Sequence, residues 1–415
     1  MTVAAVSFRT LVRAFNTLGH ALERVGLPVV DFDRESIVGE ARARAGLHDF
    51  GGDEFHEPLR RLLEGYRTEA RFTAVGRLAA RRDTVSLLAN RLRLVEDRRR
   101  HPAIADEAIR RPLFIVGLPR TGSTLLHHLL AQDPASRVLQ AWEVMFPSPP
   151  PERSRYETDP RIRRAERQLR WLDRMAPEFK AIHPLGARLA LECIALMSYS
   201  FLSSRFHTTY HVPSYQEWLE QQDLRPAYEL HRRALQHLQW RAPAERWILK
   251  APSHLYGLDA LFETYPDAVV VQTHREPLVV LASVASLTAV LQGAFTDRLD
   301  LGEIGHEVTR RWANGLERAV HLRQSGRVPG DRFLDVHYHD LLADPITVIR
   351  GIYARFDVPF TEEAERRMRR HLAGNPQGKN GMHRYSLATF GLDPEELTHR
   401  FKAYREHFGI RAERA

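Results

Sequence analysis

Two clusters in this sequence have the residue types and spacing to hold anions. The first is Leu118-Pro119-Arg120-Thr121-Gly122-Ser123-Thr124, entered through the apolar run Leu113 to Gly117. A strand, a glycine-bounded loop and a helix in that order aim backbone N–H groups at an anion, and the positive end of the helix dipole adds to them. Gly117 and Gly122 permit a tight turn and a close approach of backbone to ligand. The string follows the nucleotide loop G-x-x-x-x-G-K-[ST] except at one position. Ser123 stands where that loop carries lysine, and a cation comes earlier, at Arg120. This argues against ordinary ATP or GTP hydrolysis and for another diphosphate-like ligand. A bare strand-to-helix turn is a poor explanation for an arginine, two threonines and a serine in one loop.

The second cluster is Arg275 with Ser283. Arg275 follows the run Ala268 to His274, Pro277 opens a helix, and Ser283 lies about two turns into it. A guanidinium fork and a hydroxyl at that spacing suit a second phosphate. Lys250 closes another apolar run, Trp247 to Lys250, and so points into a crevice at the strand ends. Two residues nearby can move protons. Glu143 lies one helix and one short strand beyond the first loop, and His254 follows Lys250 closely. His183 and Glu192, in the helical stretch between them, are weaker alternatives.

These residues need a scaffold, and the patterning supplies one. The runs Leu113 to Gly117, Trp247 to Lys250, Ala268 to His274 and Arg332 to Tyr338, with a weaker one at Arg137 to Gln140, are mostly continuous rather than alternating. Strands covered on both faces read that way. Helical sequence separates them: Ile304, Val308, Trp312, Leu316 and Val320 form one apolar stripe, and Asp344-Pro345 and Asp393-Pro394 carry helix-start signals. The expected fold is α/β, a P-loop-like doubly wound parallel sheet with an N-terminal helical region and a helical insertion. Residues 1–110 form the helical region, with Val75, Leu78, Val85, Leu88, Leu92 and Val95 at helical spacing, and 111–415 form the main domain. The insertion covers about 147–243, where the strand signal disappears after Pro149-Pro150-Pro151.

The segment Pro119 to Thr124 resembles the 5′-phosphosulfate loop of the sulfotransferase superfamily, most of all the branch that includes tyrosylprotein sulfotransferases and many bacterial sulfotransferases. Arg275, Pro277 and Ser283 resemble that family's 3′-phosphate motif, with the arginine-to-serine spacing intact. Lys250-Ala251-Pro252 resembles its strand-Lys-x-Pro motif. Tyr338-His339-Asp340 through Pro345 is similar to its Tyr-Glu-x-Leu segment, with Asp340 in place of glutamate. Gly378-Lys379-Asn380-Gly381 looks like its mobile basic loop.

The resemblance spans residues 111 to about 391. It implies in-line transfer of a sulfuryl group from PAPS (3′-phosphoadenosine-5′-phosphosulfate) to a hydroxyl or amine, with PAP as product. Arg120, Thr121, Gly122, Ser123 and Thr124 would hold the 5′ end, Arg275 and Ser283 the 3′-phosphate, Tyr338 the adenosine, and Lys379 would close over the site. Lys250 would steady the departing phosphate. Glu143 would take the acceptor's proton, with His254 as runner-up; pairing of Glu143 with a nearby arginine is the structural alternative. The rival readings are a P-loop kinase, which the missing lysine disfavours, and an inactive PAP-binding module.

Composition bounds the rest. At 415 residues and 43% hydrophobic, the chain can bury a large core. The single cysteine, Cys193, excludes an intrachain disulfide and a cysteine zinc site, and a reducing, cytoplasmic setting is expected. No apolar run is long enough to span a bilayer, and Arg9 and Arg13 interrupt the N-terminal one. The net charge of +8 comes without aromatic-interleaved basic stripes or a nucleic-acid motif, so no nucleic-acid partner is expected. No His, Cys, Asp or Glu cluster shows metal-ligand spacing, so no metal is expected. The acceptor, small molecule or peptide, is not legible. Phe201, Phe206, Tyr210, Tyr215 and Trp218 in the insertion either line its pocket or belong to the core.

Overall fold

The computed structural model describes residues 8–25, 30–175, 186–375 and 386–413. Its centre is a five-stranded parallel sheet of β1 (Leu113–Gly117), β2 (Ser136–Arg137), β3 (Arg246–Lys250), β4 (Val269–His274) and β5 (Phe333–His337), in the order β2-β3-β1-β4-β5. β1 is buried at every position. Its residues alternate between two apolar clusters, Phe114 and Val116 in one and Leu113 and Ile115 in the other. That is why the run is continuous in sequence: both faces are covered. The chain leaves β1 toward β2 on one side and later crosses back to β4 on the other. The C-terminal end of β1 is therefore the topological switch point, where open α/β sheets bind ligands.

Six of the helices bear on the site and its supports: α1 (Ala74–Arg100), α2 (Ser123–Leu130), α3 (Ala141–Met145), α4 (Pro277–Gly293), α5 (Leu301–Gln324) and α6 (Tyr338–Ala343). The Thr73 hydroxyl caps α1 by accepting from the Gly76 N–H at 3.1 Å. The expected stripe on α5 is buried from Ile304 through Leu316, with Val320 half-buried. Asp344 and Asp393 cap the next helices with their side chains, as the Asp-Pro signals require.

The weak strand is shorter than its sequence. Only Ser136 and Arg137 pair with β3. The backbone at Leu139 and Gln140 is taken instead by the returning end of the insertion: Leu191 N–H donates to Leu139 O at 2.7 Å, and Gln140 forms an antiparallel bridge to Ala190.

The N-terminal helices share one apolar cluster with the insertion and one face of the sheet, from Leu59 and Leu88 through Phe206 and Phe114 to Leu261. Their contact with the end of α4 is close. Phe72 bridges Thr296, Thr73 N–H donates to Phe295 O at 2.9 Å, and Thr296 Oγ1 donates to Arg71 O at 2.6 Å. Gly76 lies against the same carbonyl; a Cβ there would sit 2.1 Å from Phe295 O. The Gly76→Ala variant should therefore lose about 1–3 kcal/mol in urea unfolding, because backbone must move. Gly39→Ala, also helical but with nothing within 4 Å of the added carbon, should instead gain up to about 1 kcal/mol. Equal effects of the two would rule out the proposed tightness of this junction.

Candidate active site

The loop between β1 and α2 owes its shape to three left-handed residues, Gly117 (φ 125°), Arg120 (φ 66°) and Gly122 (φ 83°). A Cβ on Gly117 would fall 2.3 Å from Thr273 O on β4, and one on Gly122 2.8 Å from Leu341 on α6. Arg120 adopts this backbone without being glycine, a conformation that concentrates at functional sites. The loop is fastened to β4 by the Thr121 and Thr273 hydroxyls, 2.6 Å apart, with Thr121 Oγ1 also donating to Leu118 O at 2.7 Å. Ser123 is buried at the start of α2.

The second anion cluster joins the first through Arg120. Its Nε donates to Ser283 Oγ at 3.1 Å, and its carbonyl accepts from Arg275 Nη1 at 3.0 Å. The Arg275 guanidinium lies over the Tyr338 ring, 3.8 Å from its centroid, and Tyr338 in turn borders Gly122. Arg120, Ser283, Arg275 and Tyr338 thus form one group. The remaining face of the Arg275 fork is engaged by the Glu413 carboxylate, which accepts from Nε at 3.1 Å and Nη2 at 2.9 Å. His339 Nε2 lies 3.3 Å from the same carboxylate. The tail that carries Glu413 is anchored beside the site: the buried His274 ring lies against Phe408 and bonds to Tyr404 and Asp335.

Lys250 ends β3 only 3% exposed and sits at the loop. Its Nζ donates to Thr124 Oγ1 at 3.1 Å and is 2.7 Å from Glu192 Oε1. Glu192 precedes the helix Cys193–Met197 and is carried over the strand ends by the Gln140–Ala190 bridge.

The two expected proton acceptors are both fully buried. Glu143 is fully buried at the third position of α3, closing a capping box with Gln140. Its Oε1 accepts from Arg137 Nη2, and its Oε2 from Gln140 N–H at 3.2 Å. Arg137 also donates to Leu238 O at 2.8 Å and stacks on Trp247. The structural alternative, pairing with a nearby arginine, is the geometry found. His254 is also fully buried; its Nδ1 bonds to the Tyr228 hydroxyl at 2.7 Å, and Phe114 meets the ring edge-on. Burial holds its imidazole well below the usual histidine range. Neither side chain has surface to offer an acceptor in this structure. The carboxylate that meets Lys250 is Glu192, the weaker alternative.

Phe201, Phe206, Tyr210 and Tyr215 are buried core residues rather than pocket lining, with Phe201 and Phe206 stacked at 5.8 Å. Lys379 and His183 lie outside the described residues. Thr273 and Glu413 were missed. A polar Thr273 within an apolar strand end was a readable signal; Glu413, far along the chain from Arg275, gave none.

A family model described as "Sulfotransferase family" matches residues 112–362. The structure is similar to the crystal structure of sulfotransferase STF1 from Mycobacterium tuberculosis, at 36% identity and a TM-score of 0.80, covering 89% of this chain and 98% of that one. It is similar also to sulfotransferase STF9 from Mycobacterium avium, at 31% identity and a TM-score of 0.82, covering 92% and 98%. Omega-hydroxy-beta-dihydromenaquinone-9 sulfotransferase Stf3 from Mycobacterium bovis is 26% identical over 287 residues, 66% of this chain and 70% of that protein.

The burial of Glu143 has a measurable consequence. Glu143→Gln should cost about 3–5 kcal/mol of unfolding free energy, since Arg137 is left an uncompensated buried charge. Any loss of turnover should track the loss of folded protein. A variant of wild-type stability with abolished turnover would return Glu143 to the chemistry.

Proposed function

The chain belongs to the sulfotransferase family, and from that premise we propose that it transfers a sulfuryl group from PAPS to the hydroxyl of a small molecule, with Glu192 taking the acceptor's proton. The observation that carries this reading is the chain of contacts Thr124–Lys250–Glu192 at the mouth of the anion loop. The residues suit the donor. The loop has no room for a Cβ at the two glycines, so backbone alone forms those walls. The Arg275 fork already grips a carboxylate, an anion whose paired oxygens resemble those of a phosphate.

Arg120, Thr121, Gly122, Ser123 and Thr124 would hold the 5′ end, and Arg275 with Ser283 the 3′-phosphate, with Tyr338 at the adenosine side. The covering role of Lys379 rests on the family resemblance alone. PAPS, when bound, supplies an activated sulfuryl group and departs as PAP. Lys250, held out of bulk water, sets a fixed positive charge beside the loop where negative charge develops. Glu192, across the ammonium from Thr124, is the carboxylate able to receive a proton there. No helix among the described residues is long and apolar enough to cross a membrane.

A phosphoryl-transfer reading fares worse. The hydroxyl at the Thr124 position binds magnesium in P-loop enzymes. Here it accepts from an ammonium, which repels a divalent ion at that spot. A small-molecule hydroxyl is preferred over a peptide because Stf3 is named for a hydroxylated menaquinone derivative.

Glu192→Gln should lower transfer roughly 10²- to 10⁴-fold while leaving PAP affinity near wild type. This is measured with labelled PAPS once an acceptor is found, and turnover within a few-fold of wild type removes Glu192 from the mechanism. Arg275→Ala should weaken PAP roughly 10- to 100-fold in calorimetry. Adenosine-5′-phosphosulfate, which has no 3′-phosphate, should be nearly unaffected. An equal loss for both would mean that Arg275 acts only by bracing the Arg120 carbonyl.

A further inference from the structure

Away from this site, the insertion and α5 bring together three groups that the chemistry above leaves unused. His211 follows the short helix Arg205–Thr209. Glu303 and Glu307 lie one turn apart on α5, so both carboxylates project from one face. The three ligand atoms lie within 4.8 Å of one another. We propose that His211, Glu303 and Glu307 form a binding site for a divalent transition-metal ion of the zinc class.

The first argument is the state of His211. The residue is only 7% exposed, and its two ring nitrogens face the carboxylates of Glu303 and Glu307. Nε2 is 3.3 Å from Glu303 Oε1, and Nδ1 is 3.9 Å from Glu307 Oε2. With Nε2 as the one ring nitrogen that ligates, its 3.3 Å separation from Glu303 Oε1 matches the edge of a tetrahedron whose corners lie about 2.0–2.1 Å from its centre, the bond length of zinc to imidazole nitrogen or carboxylate oxygen.

The second argument is how the neighbours hold the carboxylates. Val212 N–H donates to His207 Nδ1 at 3.3 Å, so Nε2 of that ring carries the proton and points it at Glu307 Oε2, 3.2 Å away. His207 is thus a positioning group, of the kind that orients metal-binding carboxylates. Arg71 Nη1 takes Glu303 Oε2 at 3.2 Å and leaves Oε1 turned toward His211. Arg310, the next cation along α5, is engaged by Glu220 and Glu217. One imidazole and two carboxylates leave a fourth position for water, a ligand set that suits borderline divalent ions. The ion would join the insertion to α5. Because the ligands come from distant parts of the chain, no local spacing in the sequence announces them.

The test uses the full chain, tag-free and dialysed against a chelator, titrated with zinc in competition with a chelating dye. Wild type should show one site that weakens at least tenfold in His211→Gln and in Glu303→Gln, and zinc should raise the melting temperature of wild type only. Glu303 is a third exposed, so its variant serves if His211→Gln fails to fold. The rival is an imidazolium paired with two carboxylates and no metal. Zinc binding of equal strength in wild type and the folded variants, or no site in wild type, overturns the proposal.

Discussion

The contact between the Thr121 and Thr273 hydroxyls is where the rest of the site begins. It fixes a loop with three left-handed residues against the neighbouring strand, and the missing Cβ at Gly117 lets the strand carbonyl come that close. Once the loop is fixed, Arg120 cannot wander. Its carbonyl receives Arg275 and its side chain reaches Ser283, so two segments more than 150 residues apart are joined. For the phosphate-binding role proposed for these residues, a geometry assembled beforehand would need little reorganisation when charge appears.

Charges are buried around this junction for two different purposes. Arg137 and Glu143 tie β2 to α3, and Arg137 donates to carbonyls of the segment before β3, so the pair secures the edge of the sheet. Lys250 is buried too, but its partners belong to the loop and to the insertion. A buried lysine needs a counter-charge from somewhere. Here Glu192 provides it from the element that also roofs the strand ends, which couples the placement of the insertion to the charge state of the crevice.

What was legible in the sequence was local. The loop, the Arg275–Ser283 spacing, the apolar runs and the Asp-Pro caps all depend on residues within about ten positions, and each was found where patterning put it. The burial of Glu143 and His254 was harder to see, because it depends on which way each side chain turns. An arginine partner for Glu143 was among the readings, since Arg137 is six residues away, but nothing near His254 reveals Tyr228 behind it. Glu192 reaches the site only through the bridge between residues 140 and 190, a pairing that also shortened the expected second strand. Long-range placement of a returning segment leaves no periodic trace.

The hold of Glu413 on Arg275 has a kinetic side. A carboxylate on an anchored tail acts as an intramolecular competitor, present at a fixed effective concentration whatever the solution contains. With the 3′-phosphate proposed for that arginine, nucleotide entry would be an exchange of one anion for another rather than the filling of a naked cation. Its apparent selectivity would then depend on how much better a dianionic phosphate satisfies it than a monoanionic carboxylate, and departure of the spent nucleotide would be helped by a replacement on the same chain.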